Sequence, residues 1–167
     1  MERIRRIWEN KLYQEYLRKI EAHEKDRVFC RHDRKHFLDV SRIAYILYLE
    51  EMAVTGDKEG ESKEIKEILY AAGLLHDIGR WKEYEEGIGH HIASAGLAQE
   101  LLKECGFSER EREEITTIIL SHRKKEVAQE KSLSGIFYRA DKESRECYWC
   151  EASKQCNWKT KKKQCNY

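Results

Sequence analysis

The sequence predicts an all-α fold, a bundle of about six helices, on three observations. Apolar residues recur three and four apart through almost every long segment, no stretch alternates with period two for long enough to make a strand, and cap residues punctuate the runs. With no proline anywhere, glycines and small polar residues carry the punctuation. Ile4, Trp8, Leu12, Tyr16 and Ile20, widened by Ile7 and Leu17, predict a first helix over about 2–22 with a charged outer face. Asp33 is placed to cap a second helix reaching Met52, which buries His36, Val40, Ile43, Ala44 and Leu47. Thr55 to Ser62 reads as a polar loop, with Ser62 capping a third helix. Ile65, Ile68, Leu69, Ala72, Leu75 and His76 line one face of that helix and Gly79 stops it. A fourth runs from about Gly89 to Glu104, with Ala93, Leu97 and Leu101 inward and Gly106 as the stop. Ser108 and Glu111 form a capping box for a fifth, whose inner face is Ile115, Ile118, Ile119 and His122. The last, about Leu133 to Glu146, turns Leu133, Ile136, Phe137, Ala140 and Asp141 to the core.

Bulk composition narrows function by exclusion. At 167 residues the chain suits one core with at most an appendage, here a helical domain over 1–146 and a tail over 147–167. Lys+Arg 32 against Asp+Glu 31 leaves no global field to draw it to nucleic acid or a membrane. The opening MERIRRIWENK has no secretory apolar stretch, and the apolar run Ile43 to Leu49 is far short of a membrane span, so a cytoplasmic protein is expected. In that compartment cysteines stay reduced, as core thiols or metal ligands.

Polar groups interrupt the apolar faces. His36, His76, His122 and Asp141 each fall where the helical period assigns the interior. Leaving one such group buried and unpartnered costs about 1–3 kcal/mol, more if charged. Singly, each reads as a core histidine on a backbone carbonyl or an aspartate capping a neighbour; on different helices together, they point to a shared divalent metal. Imidazole and carboxylate suit Mn, Fe, Zn or Mg. His32-Asp33, lacking an apolar lead-in, reads as a cap or a supporting pair.

The order His36, then His76-Asp77 after AAGLL, then Asp141 in YRADKESR, resembles the HD-domain metal-dependent phosphohydrolases over about residues 30–146. The resemblance implies that His36, His76, Asp77 and Asp141 hold one ion. It implies that His90, followed by Ser94-Ala95, and His122 add a second, with Asp77 bridging ions about 3.5–4 Å apart. His91 is the neighbouring alternative to His90, about 100° round the helix. One or two ions of Mn, Fe, Co, Ni, Zn or Mg are the expected cofactors. The implied reaction is hydrolysis of a phosphate ester of a nucleotide or other small phosphorylated metabolite by a metal-activated water. Asp77 and Arg80 are the expected catalytic residues, Arg80 contacting phosphate; its alternative is a surface pair with Glu83 or Glu85. Arg123, Lys124, Lys125 and Arg139 are further cations for the same mouth, and Trp81, Tyr84 and Tyr48 either stack on a base or pack in the core. No GxxxxGK[ST] loop is present, so the ions are the principal phosphate anchor.

The tail carries Cys147-x2-Cys150-x5-Cys156-x8-Cys165, a set that suits zinc or an iron–sulfur cluster, or else ordinary reduced thiols. Trp149, Trp158, Lys159 and Lys161 to Lys163 would also suit a small RNA-binding or docking knuckle, the one route to nucleic acid. Cys30 and Cys105, beside helix ends, read as small core residues. The competing functions are a non-catalytic nucleotide- or metal-sensing module signalling through the tail, and a di-iron oxygenase.

Overall fold

A computed structural model describes residues 1–55, 59–158 and 163, with the side chains of 52–62 outside the description. Among the described residues there are eight α-helices, two short 3-10 turns and no strand. They are α1 (Glu2–Glu9), α2 (Lys11–His23), α3 (Arg34–Thr55), α4 (Glu59–Leu75), α5 (Arg80–Glu86), α6 (His90–Glu104), α7 (Glu109–Ser121) and α8 (Leu133–Glu143). No helix among them is long and apolar enough to cross a membrane.

The two helices beyond the expected six have local causes. Asn10 splits the first predicted helix: its side chain accepts the Leu12 and Tyr13 amides and starts α2 afresh. The break shifts the helical phase, so Tyr13 is fully buried while Leu12, expected inside, is 43% exposed. The other is α5. The helix expected to run to Gly79 ends at Leu75, and residues 76–79 form turns, because Gly79 donates its amide to Ser94 Oγ on α6 at 2.9 Å. A Cβ on Gly79 would lie 2.4 Å from the Ser94 amide nitrogen, so glycine is what lets this turn seat against α6. His76 and Asp77 thus sit just past a helix end, aimed by a turn pinned to its neighbour.

Several boundaries follow the predicted caps. Asp33 accepts the His36 amide at 2.9 Å, Ser108 and Glu111 close a capping box, and Gly106, at φ 86°, ends α6 with the Phe107 amide on Leu102 O. Ser62 is no cap, since α4 already starts at Glu59; residues 56–58 of the predicted loop lie outside the described residues. α3 and α4 pack closely where Gly73 faces Ser41: a Cβ there would meet Ser41 Cα at 2.9 Å. The buried core draws on α1 to α8 in a single cluster that includes Phe37, Leu69, Leu75, Ile118 and Phe137.

In the tail, Cys147, Cys150 and Cys156 are outside any disulfide, and Cys165 lies outside the described residues, as do Lys159, Lys161 and Lys162. The reading of Cys30 as a core residue is corrected: it is half-buried and lines a surface cavity, whereas Cys105 is buried.

Candidate metal centre

Helix ends deliver the ligands. α3 contributes His36 from its first turn, the 76–79 turn after α4 contributes His76 and Asp77, α6 contributes His90 at its first residue, His122 caps the end of α7, and Asp141 comes from the last turn of α8. These side chains converge in two buried groups, His36 with His76 and Asp141, and Asp77 with His90 and His122. Within each group the ligand atoms lie within 4.8 Å of one another. Among the described residues the tail thiols close no such group.

Asp77 faces both groups at once. Its Oδ2 is 3.3 Å from His76 Nε2 and 3.8 Å from His36 Nε2, while its Oδ1 is 3.2 Å from His90 Nε2 and 3.7 Å from His122 Nε2. Asp141 Oδ1 closes the first group at 3.7 Å from His36 Nε2. His90, rather than His91, is the histidine in the second group.

Hydrogen bonds at the far nitrogens define which imidazole atom is free to ligate. Carbonyl oxygens only accept, so the contacts of His76 Nδ1 with Gly73 O (2.9 Å) and His122 Nδ1 with Ile119 O (2.6 Å) place the proton on Nδ1. Ser144 Oγ donates to Asp141 O, which leaves it to accept from His36 Nδ1 at 3.3 Å. His90 Nδ1 donates to Glu83 Oε2 at 2.6 Å. All four Nε2 atoms therefore present lone pairs inward. His36 Nε2, His76 Nε2, Asp77 Oδ1 and Asp141 Oδ1 are buried with no hydrogen-bond partner, and His90 Nε2 faces His122 Nε2 at 3.2 Å. Two lone pairs repel at that distance, and orphaned buried acceptors are costly; cations between them remove both costs. The donor set fits divalent ions.

The electrostatics agree. Burial drives His90 down to about 4 and His122 to about 3, and lowers His36, so these imidazoles stay neutral, as ligands must be. His76 is the exception: burial opposes its charge, but Asp77 and Asp141 outweigh it and hold its pKa up. Burial would raise both carboxyls, yet neighbouring charge wins. Asp77 is held well below the carboxylate range by His76 and His32, and Asp141 by Lys142, Arg145, His76 and His36.

Two residues whose supporting role the sequence does not show are Glu24 and Glu83. Glu24 is buried, accepts from His32 Nδ1 (2.6 Å), the His32 amide (2.7 Å) and Tyr84 Oη (2.6 Å), and is lowered to about 2 because these donors outweigh its burial. His32, so held, stands 3.6 Å from Asp77 Oδ2. Glu83 holds His90 and accepts from Arg80 Nη1 at 2.9 Å, with Arg123 3.5 Å away. Arg80 thus makes the Glu83 pair named as its alternative, but partly buried rather than at the surface, and lies 2.7 Å from His90 Nδ1 as well. Of the other cations, Arg139 is engaged by Glu51 and the Ala128 and Glu130 carbonyls. Trp81 is buried against Tyr16, and Tyr48 is also core.

An all-α domain with two buried His/Asp groups sharing one aspartate between them has the donor set and arrangement that suit divalent ions. The chain belongs to the HD domain family, whose sequence profile matches residues 34–146. An uncharacterized protein of Clostridium beijerinckii is 40% identical over 152 residues, covering 91% of this chain and 89% of its own length. No solved structure matches the chain.

Proposed function

We propose that the protein is a metal-dependent phosphohydrolase acting on a phosphate ester of a nucleotide or another small phosphorylated metabolite. One observation carries the reading: Asp77 turns one carboxylate oxygen to each of two buried ligand groups, the arrangement a two-ion phosphoester site requires. Membership of the HD domain family supports it. His36, His76, Asp77 and Asp141 would hold one ion, and Asp77, His90 and His122 the other. Bound divalent ions supply positive charge for the phosphoryl oxygens and lower the pKa of a water so that it attacks at neutral pH.

The chain's own residues do the rest. Glu24 fixes the His32 ring beside Asp77, and Glu83 fixes His90, so the ligands are oriented before any ion or substrate arrives. Two cavities of about 340 and 240 Å³ flank this corner and share Arg31, Asp33 and Lys35. Arg31 gives the approach a cationic group for a phosphate, whereas the Lys35 ammonium is held by Asp39 and Glu146, each at 2.7 Å. Arg80 acts through Glu83 and His90, as a positioning residue, in this reading.

The test is turnover by purified protein loaded in turn with Mn, Fe, Co, Ni, Zn and Mg on a panel of phosphate monoesters, nucleotides and dinucleotide polyphosphates. Metal-dependent release of phosphate or nucleotide is expected. Absence of turnover with every metal, alongside tight nucleotide binding, would establish the sensing module instead; oxygen consumption by the iron-loaded protein would establish an oxygenase.

A further inference from the structure

The 240 Å³ cavity beside His36 is walled by thiols from opposite ends of the sequence: Cys30, from the segment between α2 and α3, and Cys147 and Cys150, from the tail. Cys147 and Cys150 occupy one tight turn, with the Cys150 amide on Cys147 O, which brings a C-x2-C pair to one side. Cys30 is held opposite by guanidinium contacts: Arg27 Nε donates to Cys30 O at 2.8 Å and Arg31 Nε to Arg27 O at 3.2 Å. Cys156 follows the 3-10 turn Glu151–Lys154, and its Sγ accepts the Trp158 amide at 3.5 Å. The Trp158 ring lies 4.9 Å from the guanidinium of Arg145, which lines the same cavity. Three cysteines therefore border one small volume, and Cys156 is tied to its wall through Trp158 and Arg145.

The tail needs something of this kind. Of residues 147–158 only Ala152 is buried; Tyr148 is 44% and Trp149 79% exposed. So little apolar burial does not offset the entropy of ordering a dozen residues, and small segments of this sort are usually stapled by a metal or a disulfide. We propose that Cys30, Cys147, Cys150 and Cys156 bind one structural zinc ion that clips the tail onto the segment leading into α3. All-thiolate, four-coordinate ligation is what zinc takes in closed structural sites. Among the described residues no three of the thiols lie within ligand distance of one another, so the site forms as the thiols turn toward the ion. Four thiols release their protons to solvent as the ion binds, with Arg31 and Arg145 in the same lining to offset part of the resulting charge while Asp39 and Glu146 hold Lys35. Cys165 is not a ligand in this assignment. The clip joins the chain just before His32 and His36 to the chain just after Asp141, and so braces the edge of the core centre.

Cobalt-substituted full-length protein tests it, because the core centre contains no thiolate. A thiolate-to-cobalt charge-transfer band separates the clip from the core, and from the phosphohydrolase reading. The band is expected in the parent protein and in Cys165→Ser, and lost or strongly reduced in Cys30→Ser, Cys147→Ser, Cys150→Ser and Cys156→Ser. Zinc affinity by chelator competition should fall by more than about 100-fold in those four, beyond the loss typical of an outer-shell partner. Per-residue alkylation of the unmutated protein, read by mass spectrometry, keeps the test open if Cys30→Ser misfolds: zinc should slow Cys30 together with the three tail thiols and leave Cys165 unchanged. No charge-transfer band in the parent protein, equal Cys30 alkylation with and without zinc, or a band lost in Cys165→Ser but kept in Cys30→Ser would overturn the assignment.

Discussion

The two ligand groups of the core centre use the same side-chain chemistry but are held by different neighbours. In the group of His36, His76 and Asp141, the outer nitrogens of the imidazoles rest on a serine hydroxyl and a backbone carbonyl, and the carboxylate is flanked by Lys142 and Arg145. In the group of Asp77, His90 and His122, His90 leans on the carboxylate of Glu83, itself bound to Arg80 and near Arg123. The first group is framed by α3, α4 and α8, the second by α5, α6 and α7. In each group one histidine, His76 or His122, rests on a backbone carbonyl. The difference lies in the other, since a carboxylate behind His90 makes it a stronger donor and fixes its ring where His36 has only a neutral serine. Asp77 is the one residue that belongs to both.

The sharpest way to break this comparison is to remove the shared residue. Asp77→Ala should cost both ions and lower turnover by at least about 1000-fold, measured by elemental analysis and steady-state rates side by side. A variant that retains its full metal complement would show that the two groups do not depend on a common carboxylate. His122→Ala should act on one side only. One equivalent of core metal should be lost and the other kept, with elemental analysis deciding; loss of both equivalents would mean that the groups do not bind separately.

Glu83→Gln is a milder probe. It keeps the shape but removes the charge behind His90, and should weaken the second group's ion by about 10–100-fold in a competition titration while leaving the first group unchanged. Equal weakening at both groups would remove the asymmetry.

The smallest effect should be the pH response of the metal-free protein. Unfolded imidazoles titrate near 6.5, but burial holds His90 at about 4 and His122 at about 3, so between those values the unfolded chain binds more protons. Stability should therefore fall as pH drops below roughly 6.5, with His76, whose pKa is raised, opposing the trend in part. Urea unfolding across that interval measures it, and a stability that rises toward acid would contradict the neutral-imidazole account.

Four of the six ligand residues, His36, His76, His122 and Asp141, are legible in the sequence because each interrupts an apolar face, whereas Asp77 and His90 rest on the resemblance. His76 ends a run of buried Leu74 and Leu75, and Asp141 follows buried Ala140, so the period marks both as inward. Asp33 and Ser108 announced their helix starts through local hydrogen bonds. The supporting carboxylates were harder to read. Glu24 sits in a charged stretch that reads as solvent-facing, and its partners, His32 and Tyr84, are 8 and 60 residues away, so only the fold brings them together. Glu83 reads in the sequence only as a surface partner for Arg80, because its bond to His90 crosses from α5 to α6. Asn10 shows the converse: the apolar stripe runs across it at helical spacing, and only the structure shows its side chain starting α2 and Tyr13, not Leu12, buried.

Anomalous diffraction from crystals of the manganese-loaded protein tests the central claim most directly. Two manganese peaks are expected, one among His36, His76 and Asp141 and one beside His90 and His122, with the Asp77 carboxylate between them, one oxygen to each. A single peak, or two peaks with Asp77 bound to neither or to only one, would contradict the account.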